Sequence, residues 1–291
     1  MFAGSFVAIV TPFRNGQIDE KSLSELIEFQ LKEGTHGIVP CGSTGESATL
    51  SHQEHERVIE HTIRVVDGRV PVIAGTGSNS TEEALKLTRH AKKVGADGAL
   101  MITPYYNKPT QEGLYRHFSL IAEKVDIPIV LYNVPGRTGV NMTPQTVERL
   151  AQIPNIVGIK EASGSLQQIS DLINLCGDKI TVLSGDDGLT LPILSVGGKG
   201  VISVTANILP ADAASLVTEF EAGNWLKARE INSYLHTINQ ALFIETNPIP
   251  VKTALALMEK ISGELRLPLC PMSENNLNTL KQVMKRYNLI P

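Results

Sequence analysis

The 291-residue sequence predicts an α/β fold, a (β/α)8 TIM barrel followed by a small all-helical C-terminal region. Three observations carry that expectation. Eight short apolar runs of strand character recur along the chain, segments of helical period separate them, and the alternation stops near Gly223. The runs cover residues 5–11, 37–42, 70–75, 99–103, 128–133, 156–161, 180–184 and 200–204. Their spacing suits one strand plus one crossover helix. A doubly wound sheet would have fewer strands and a glycine-rich first turn. The GTGSNS stretch at residues 75–80 half resembles such a turn but follows the third run.

The helices are marked in order. Leu23, Leu26, Ile27 and Leu31 share one helical face, with Asp19 as N-cap and Gly34 as the stop. Ser51-x-x-Glu54 is a capping box ahead of Val58, Ile59, Thr62, Ile63 and Val66, and Ser80-x-x-Glu83 opens the next helix in the same way. Three Gly-x-x-Gly pairs, Gly34/Gly37, Gly95/Gly98 and Gly197/Gly200, each precede a strand run. Glycine there ends a helix in the left-handed conformation and turns the chain into the strand. Residues 225–244, 250–261 and 273–287 are helical with no strand signal between them. The division is a catalytic barrel over residues 1–223 and a helical region over 224–291. No long linker separates the two, so the helices should pack on the barrel.

Hydrophobic residues make up 42% and charged residues 19% with net charge −4, which excludes a disordered or fibrous chain. No long basic run exists, so nucleic acid is not an expected partner. No apolar stretch approaches the ~20 residues of a membrane helix, so neither is a membrane. Residues 1–10 lack the basic start of a secretory signal. Cys41, Cys176 and Cys270 are too few and too dispersed for a disulfide framework, which suits a cytoplasmic location.

Barrel enzymes carry their chemistry at the C-terminal strand ends. Here those ends are rich in hydroxyls and phenols, with one lysine and no metal-ligand spacing. The close pair His52 and His55 reads as solvent-facing or regulatory. Lys160 ends an apolar run, and alternation puts it with Gly158 on the inner side, above a gap left by the glycine, while Val157 and Ile159 face the helices. Desolvation can bring a lysine from about 10.4 to about 7–8, where its amine attacks a ketone to form a Schiff base. The alternative is a strand-end lysine that snorkels to solvent. Tyr132 occupies the matching point of the preceding strand, ~4.8 Å away. Its phenol, with Ser43 and Thr44, could relay protons. The turn around Ser43 and Thr44 could also hold a carboxylate through backbone N–H groups, or be a simple tight turn. Arg137 has a fork suited to a substrate carboxylate, or is an ordinary surface arginine.

GSTGE at 42–46, PYYNKP at 104–109, YNVPGRTG at 132–139 and GIKEASG at 158–164 together resemble the dihydrodipicolinate synthase (4-hydroxy-tetrahydrodipicolinate synthase) family of pyruvate-dependent class I aldolases. The resemblance runs along the whole chain, through GVISVTAN at 200–207 and NPIPVK at 247–252. It implies a Schiff base between Lys160 and pyruvate, with no other cofactor and no metal. Tyr132 would be the proton donor, and Ser43 and Tyr106 would complete a relay, Tyr106 reaching into a neighbouring subunit. Thr44 and Ile202 would bind pyruvate, and Arg137 the carboxylate of L-aspartate 4-semialdehyde. A homotetramer built as a dimer of dimers is implied as well. Ser47, Ala48, His52, His55, Asn79, Glu83 and Tyr105 match positions where L-lysine acts as feedback inhibitor in some members. Familiar members have threonine where this chain has Ser43. Sialic-acid lyases of the same superfamily also read GSTGE, which makes N-acetylneuraminate lyase, or another aldolase or dehydratase of sugar-derived 2-keto acids, the alternative.

Overall fold

A computed structural model describes residues 2–291, so Met1 lies outside the described residues. Eight strands form the barrel: β1 Gly4–Ala8, β2 Gly37–Val39, β3 Ile73–Gly75, β4 Gly98–Ile102, β5 Ile129–Asn133, β6 Ile156–Glu161, β7 Thr181–Ser184 and β8 Gly200–Ser203. Each falls on a predicted run to within a few residues. All neighbours pair parallel in the order β2-β1-β8-β7-β6-β5-β4-β3, and one bridge between Ile38 and Val72 closes the ring.

The period-2 rule sorts the side chains. Phe6, Ala8, Val39, Ile73, Leu100, Val130, Tyr132, Leu183 and Ile202 fill the interior. Their chain neighbours, such as Met101, Leu131, Ile159 and Val182, pack against the helices. One position departs from the expected parity. Ile129 pairs with Ile156 but Val130 pairs with Gly158, so Val157 is an extra residue in β6. A bulge breaks alternation, and Val157 packs on the interior set instead of facing the helices. The expected gap at Gly158 is also closed, because a Cβ there would lie 3.0 Å from the Thr181 carbonyl oxygen.

The helix signals act largely as written. Asp19 accepts from the Ser22 N–H, and Ser51 and Glu54 form both halves of their capping box. Ser80 caps the Glu83 N–H, but the Glu83 carboxylate turns to Ser78 and His52, so that box stays half made. Gly34, Gly95 and Gly197 take φ of +84°, +92° and +113°, the left-handed stops that the pattern required. A hairpin, Phe13–Arg14 with Gln17–Ile18, turns through Asn15-Gly16 and was not anticipated, although Asn-Gly is its usual signal.

The C-terminal helices Trp225–Ala241, Ile249–Leu257 and Glu274–Arg286 do pack on the barrel. Their Ile238, Val251, Leu255 and Leu280 share one core with Val7, Ile9 and Leu23. Each such side chain contributes about 1.5–3 kcal/mol when fully buried. Among the described residues no helix is long and apolar enough to cross a membrane.

Candidate active site

Strand register builds the centre of the site. Tyr132 stands opposite Lys160 across β5 and β6, and the lysine amine lies 4.3 Å from the centre of the tyrosine ring. Lys160 is 5% exposed and does not snorkel. Its stem runs past Gly185, where a Cβ would come within 3.2 Å of the lysine Cε. Burial brings its pKa down to about 8. Arg137 adds to that shift, while the field of Asp187 opposes it. Burial likewise pushes the Tyr132 phenol up to about 12, against smaller opposing effects of Arg137 and a hydrogen bond with Ser43. The pair is therefore a weakly basic amine against a phenol that keeps its proton at neutral pH.

Asp187, 7% exposed, sits in the loop after β7. It accepts from the Ser203 hydroxyl at 2.5 Å and from the Val204 and Thr205 N–H groups at 2.9 and 3.2 Å. Those bonds hold the end of β8, where Ile202 points into the barrel. Burial nevertheless raises the Asp187 pKa.

The turn after β2 carries Ser43 and Thr44. The Thr44 hydroxyl accepts from Asn247 Nδ2 at 3.0 Å, and the Asn247 carbonyl accepts from Arg137 Nη2 at 2.9 Å. Asn247 thus ties two expected substrate-binding residues together from the C-terminal region.

A cavity of about 400 Å³ opens beside this centre. Its walls include Ser43, Tyr132, Arg137 and Asn247, together with Ser47, Ala48, His52, His55, Glu83 and Tyr105. Lys160, Thr44 and Ile202 are not on its walls, while Tyr132, whose ring the lysine amine overlies, is. Asn79 also stands off the wall, donating to the Tyr105 carbonyl at 3.1 Å. His55 corrects the solvent-facing reading of the histidine pair. It is buried and its Nε2 bonds the Gly75 carbonyl at 2.7 Å, while His52 remains exposed and meets Glu83. Burial holds the His55 pKa down. Tyr106 takes no part in the cavity of its own chain. It is 90% exposed at a φ of +72°, held out on the loop after β4. Among the described residues no His, Cys, Asp or Glu cluster of metal-binding size occurs.

The model of the dihydrodipicolinate synthetase family matches residues 1–287. The chain belongs to that family. The 4-hydroxy-tetrahydrodipicolinate synthase of Syntrophus aciditrophicus is 64% identical over 290 residues, covering all of both chains. The structure of the chloride-inhibited dihydrodipicolinate synthase from Acinetobacter baumannii, complexed with pyruvate, is 48% identical with a TM-score of 0.98, and the match covers 100% of each chain. The structure of the enzyme from Cyanidioschyzon merolae with lysine bound is 41% identical with a TM-score of 0.96, over 99% of each chain.

In this member of the dihydrodipicolinate synthetase family, two residues of the site escaped the sequence reading. Asp187 was visible only as part of an acidic pair at a strand end. Asn247 lay in a noted motif, but nothing in one sequence brings residue 247 to residue 44.

Proposed function

We propose that this chain condenses pyruvate with L-aspartate 4-semialdehyde to 4-hydroxy-tetrahydrodipicolinate, the first committed step towards diaminopimelate and lysine, through a Schiff base on Lys160. The activity is that of a 4-hydroxy-tetrahydrodipicolinate synthase, a lyase, as its relatives at 61–64% identity are named. The observation that carries the mechanism is the Lys160 amine, buried at a strand end against the Tyr132 ring.

The neutral amine adds to the pyruvate ketone, and the Tyr132 phenol gives a proton as water leaves. Loss of a methyl proton turns the imine into an enamine, whose carbon attacks the aldehyde. The amine of the semialdehyde then adds to the imine carbon, the bond to lysine breaks, and the ring closes. One water is lost overall. The protonated imine formed on the lysine is the electron sink, so the sequence of steps calls for no metal or added cofactor. Thr44 and the Ile202 backbone hold pyruvate and Arg137 holds the semialdehyde carboxylate.

Ser43 beside Tyr132 begins a proton relay, and Tyr106 completes it from a neighbouring subunit. A tyrosine so fully exposed in one chain supports that role, within a homotetramer arranged as a dimer of dimers. L-lysine is the proposed feedback inhibitor, with Glu83 pairing its amine and Tyr105, His52 and His55 lining the same cavity. A cytoplasmic location completes the reading.

The test is turnover of pyruvate plus L-aspartate 4-semialdehyde by the purified protein, with N-acetylneuraminate cleavage in parallel. Product from the first pair alone is the expected result. Cleavage of N-acetylneuraminate alone would overturn the substrate assignment. Borohydride trapping with pyruvate should add one pyruvate-derived group to Lys160, and a trapped group elsewhere would move the nucleophile.

A further inference from the structure

Two motifs end in residues that the reaction does not use: GSTGE in Glu46 and NPIPVK in Lys252. The fold brings these ends together. Lys252 Nζ donates to Glu46 Oε1 at 2.5 Å, and both side chains are completely buried. The other Glu46 oxygen accepts from the Arg266 N–H at 3.2 Å. Glu46 has φ of +52°, a left-handed conformation that costs a residue with a side chain and persists only where its surroundings impose it.

The pair sits at one end of a short chain of contacts to the site. The Glu46 N–H donates to the Ser43 carbonyl at 3.2 Å, closing the turn that presents Ser43 and Thr44. Lys252 belongs to the helix Ile249–Leu257, and its N–H donates to the Pro248 carbonyl at 3.0 Å. Immediately before Pro248 stands Asn247, which bonds Thr44 and receives Arg137. The turn and the helix start are therefore pinned at two points, Glu46–Lys252 and Thr44–Asn247.

A buried ion pair is weak evidence for stability, since apolar residues of similar volume often serve as well. What the pair supplies that apolar packing does not is direction. We propose that the Glu46–Lys252 ion pair positions the Ser43–Thr44 turn against Asn247, so that the helix Ile249–Leu257 sets the geometry of pyruvate binding. Both are positioning residues, and the inference rests on the Schiff-base reading given above.

The test compares the wild-type protein with Lys252→Met and with the double variant Glu46→Gln/Lys252→Met. The double variant leaves no uncompensated buried charge and guards against simple misfolding. Two quantities are read: the thermal midpoint, and the pyruvate concentration giving half-maximal borohydride trapping on Lys160. A structural role alone would lower the midpoint or the trapped fraction and leave the half-saturation unchanged. A positioning role raises the half-saturation while full trapping is still reached at high pyruvate. We expect a rise of about tenfold in the double variant, consistent with the sensitivity of such sites to small displacements. Wild-type half-saturation in a folded double variant would overturn the proposal. Absence of any adduct on the wild-type protein would overturn the Schiff-base reading itself, and this inference with it.

Discussion

Lys160 and Lys252 are both buried lysines, and the protein treats them in opposite ways. Lys252 is fully buried with Glu46 at hydrogen-bond distance. Its pKa is lowered by burial, and the carboxylate beside it opposes that shift. Each amine lies over an aromatic ring, Lys160 over Tyr132 and Lys252 over Phe13, but only Lys252 also meets a carboxylate, and Asp187 reaches Lys160 only through its field. With a pKa of about 8 rather than 10.5, roughly a tenth of the amine is neutral at pH 7 instead of about one part in three thousand. One lysine is spent on holding the chain together; the other is kept short of partners so that its lone pair is available.

The sharpest break in that comparison is loss of the nucleophile. Lys160→Ala should lower kcat/KM at least about 10⁴-fold, more than ~5 kcal/mol of transition-state stabilisation, with the circular dichroism spectrum retained. In the wild type, kcat/KM should climb with pH and level off above about 8, because the reactive form is the unprotonated amine. A profile flat from pH 6 to 9 would contradict that assignment. Tyr132→Phe should follow, with a loss of about 10²–10⁴-fold in turnover, the usual range for a removed general acid. Since the phenol is pushed up to about 12, its own ionisation should leave no mark on the profile below pH 10.

Stability should separate the two lysines by sign. Lys252→Met strands the Glu46 carboxylate in the interior and should cost about 3–5 kcal/mol. Lys160→Met should do the reverse. Its folded-state pKa lies below the unfolded one, so the folded protein is penalised at pH 7, where the amine is mostly charged in both states. That penalty is on the order of 3 kcal/mol. It fades as pH rises from about 8 and is gone above about 10.5, once both states are neutral. Denaturant midpoints at pH 7 and 10 would check both signs. Lys160→Met should be more stable than wild type at pH 7 and lose most of that advantage at pH 10. Equal shifts for the two variants would erase the distinction between them.

The same contrast explains what the sequence could show. Lys160 was legible because its environment is local: an apolar strand, a parity argument and a phenol at the matching point of the adjacent strand. Barrel strands and helix caps were legible for the same reason, since each is written within a few consecutive residues. The bulge at Val157 was not, because it is a property of two paired strands and depends on how β5 and β6 slide. Nor was the pairing of Glu46 with Lys252. Their motifs stand 206 residues apart, and only the packed core between barrel and C-terminal helices brings them together. His55 shows the limit from the other side, as a polar residue on a helix that the fold seals against the Gly75 carbonyl.

Ser43 lies between the two lysines, and its replacement should give the smallest effect. Its carbonyl is held by the Glu46 N–H on the Lys252 side, while its side chain faces Tyr132 on the Lys160 side. Ser43→Thr keeps the hydroxyl and adds one methyl group at a half-buried residue on the cavity wall. β-Branching narrows the side-chain rotamers without removing the donor. The change in kcat/KM should therefore stay within about threefold, under ~0.7 kcal/mol. Ser43→Ala, which deletes the hydroxyl, should lose about tenfold or more, and the ratio of the two variants isolates the hydroxyl from the shape. Should Ser43→Ala match the wild type, the hydroxyl has no part in the relay, and the turn matters only through the backbone that Glu46 and Lys252 hold. Should Ser43→Thr fall as far as Ser43→Ala, the rotamer freedom of serine is itself required.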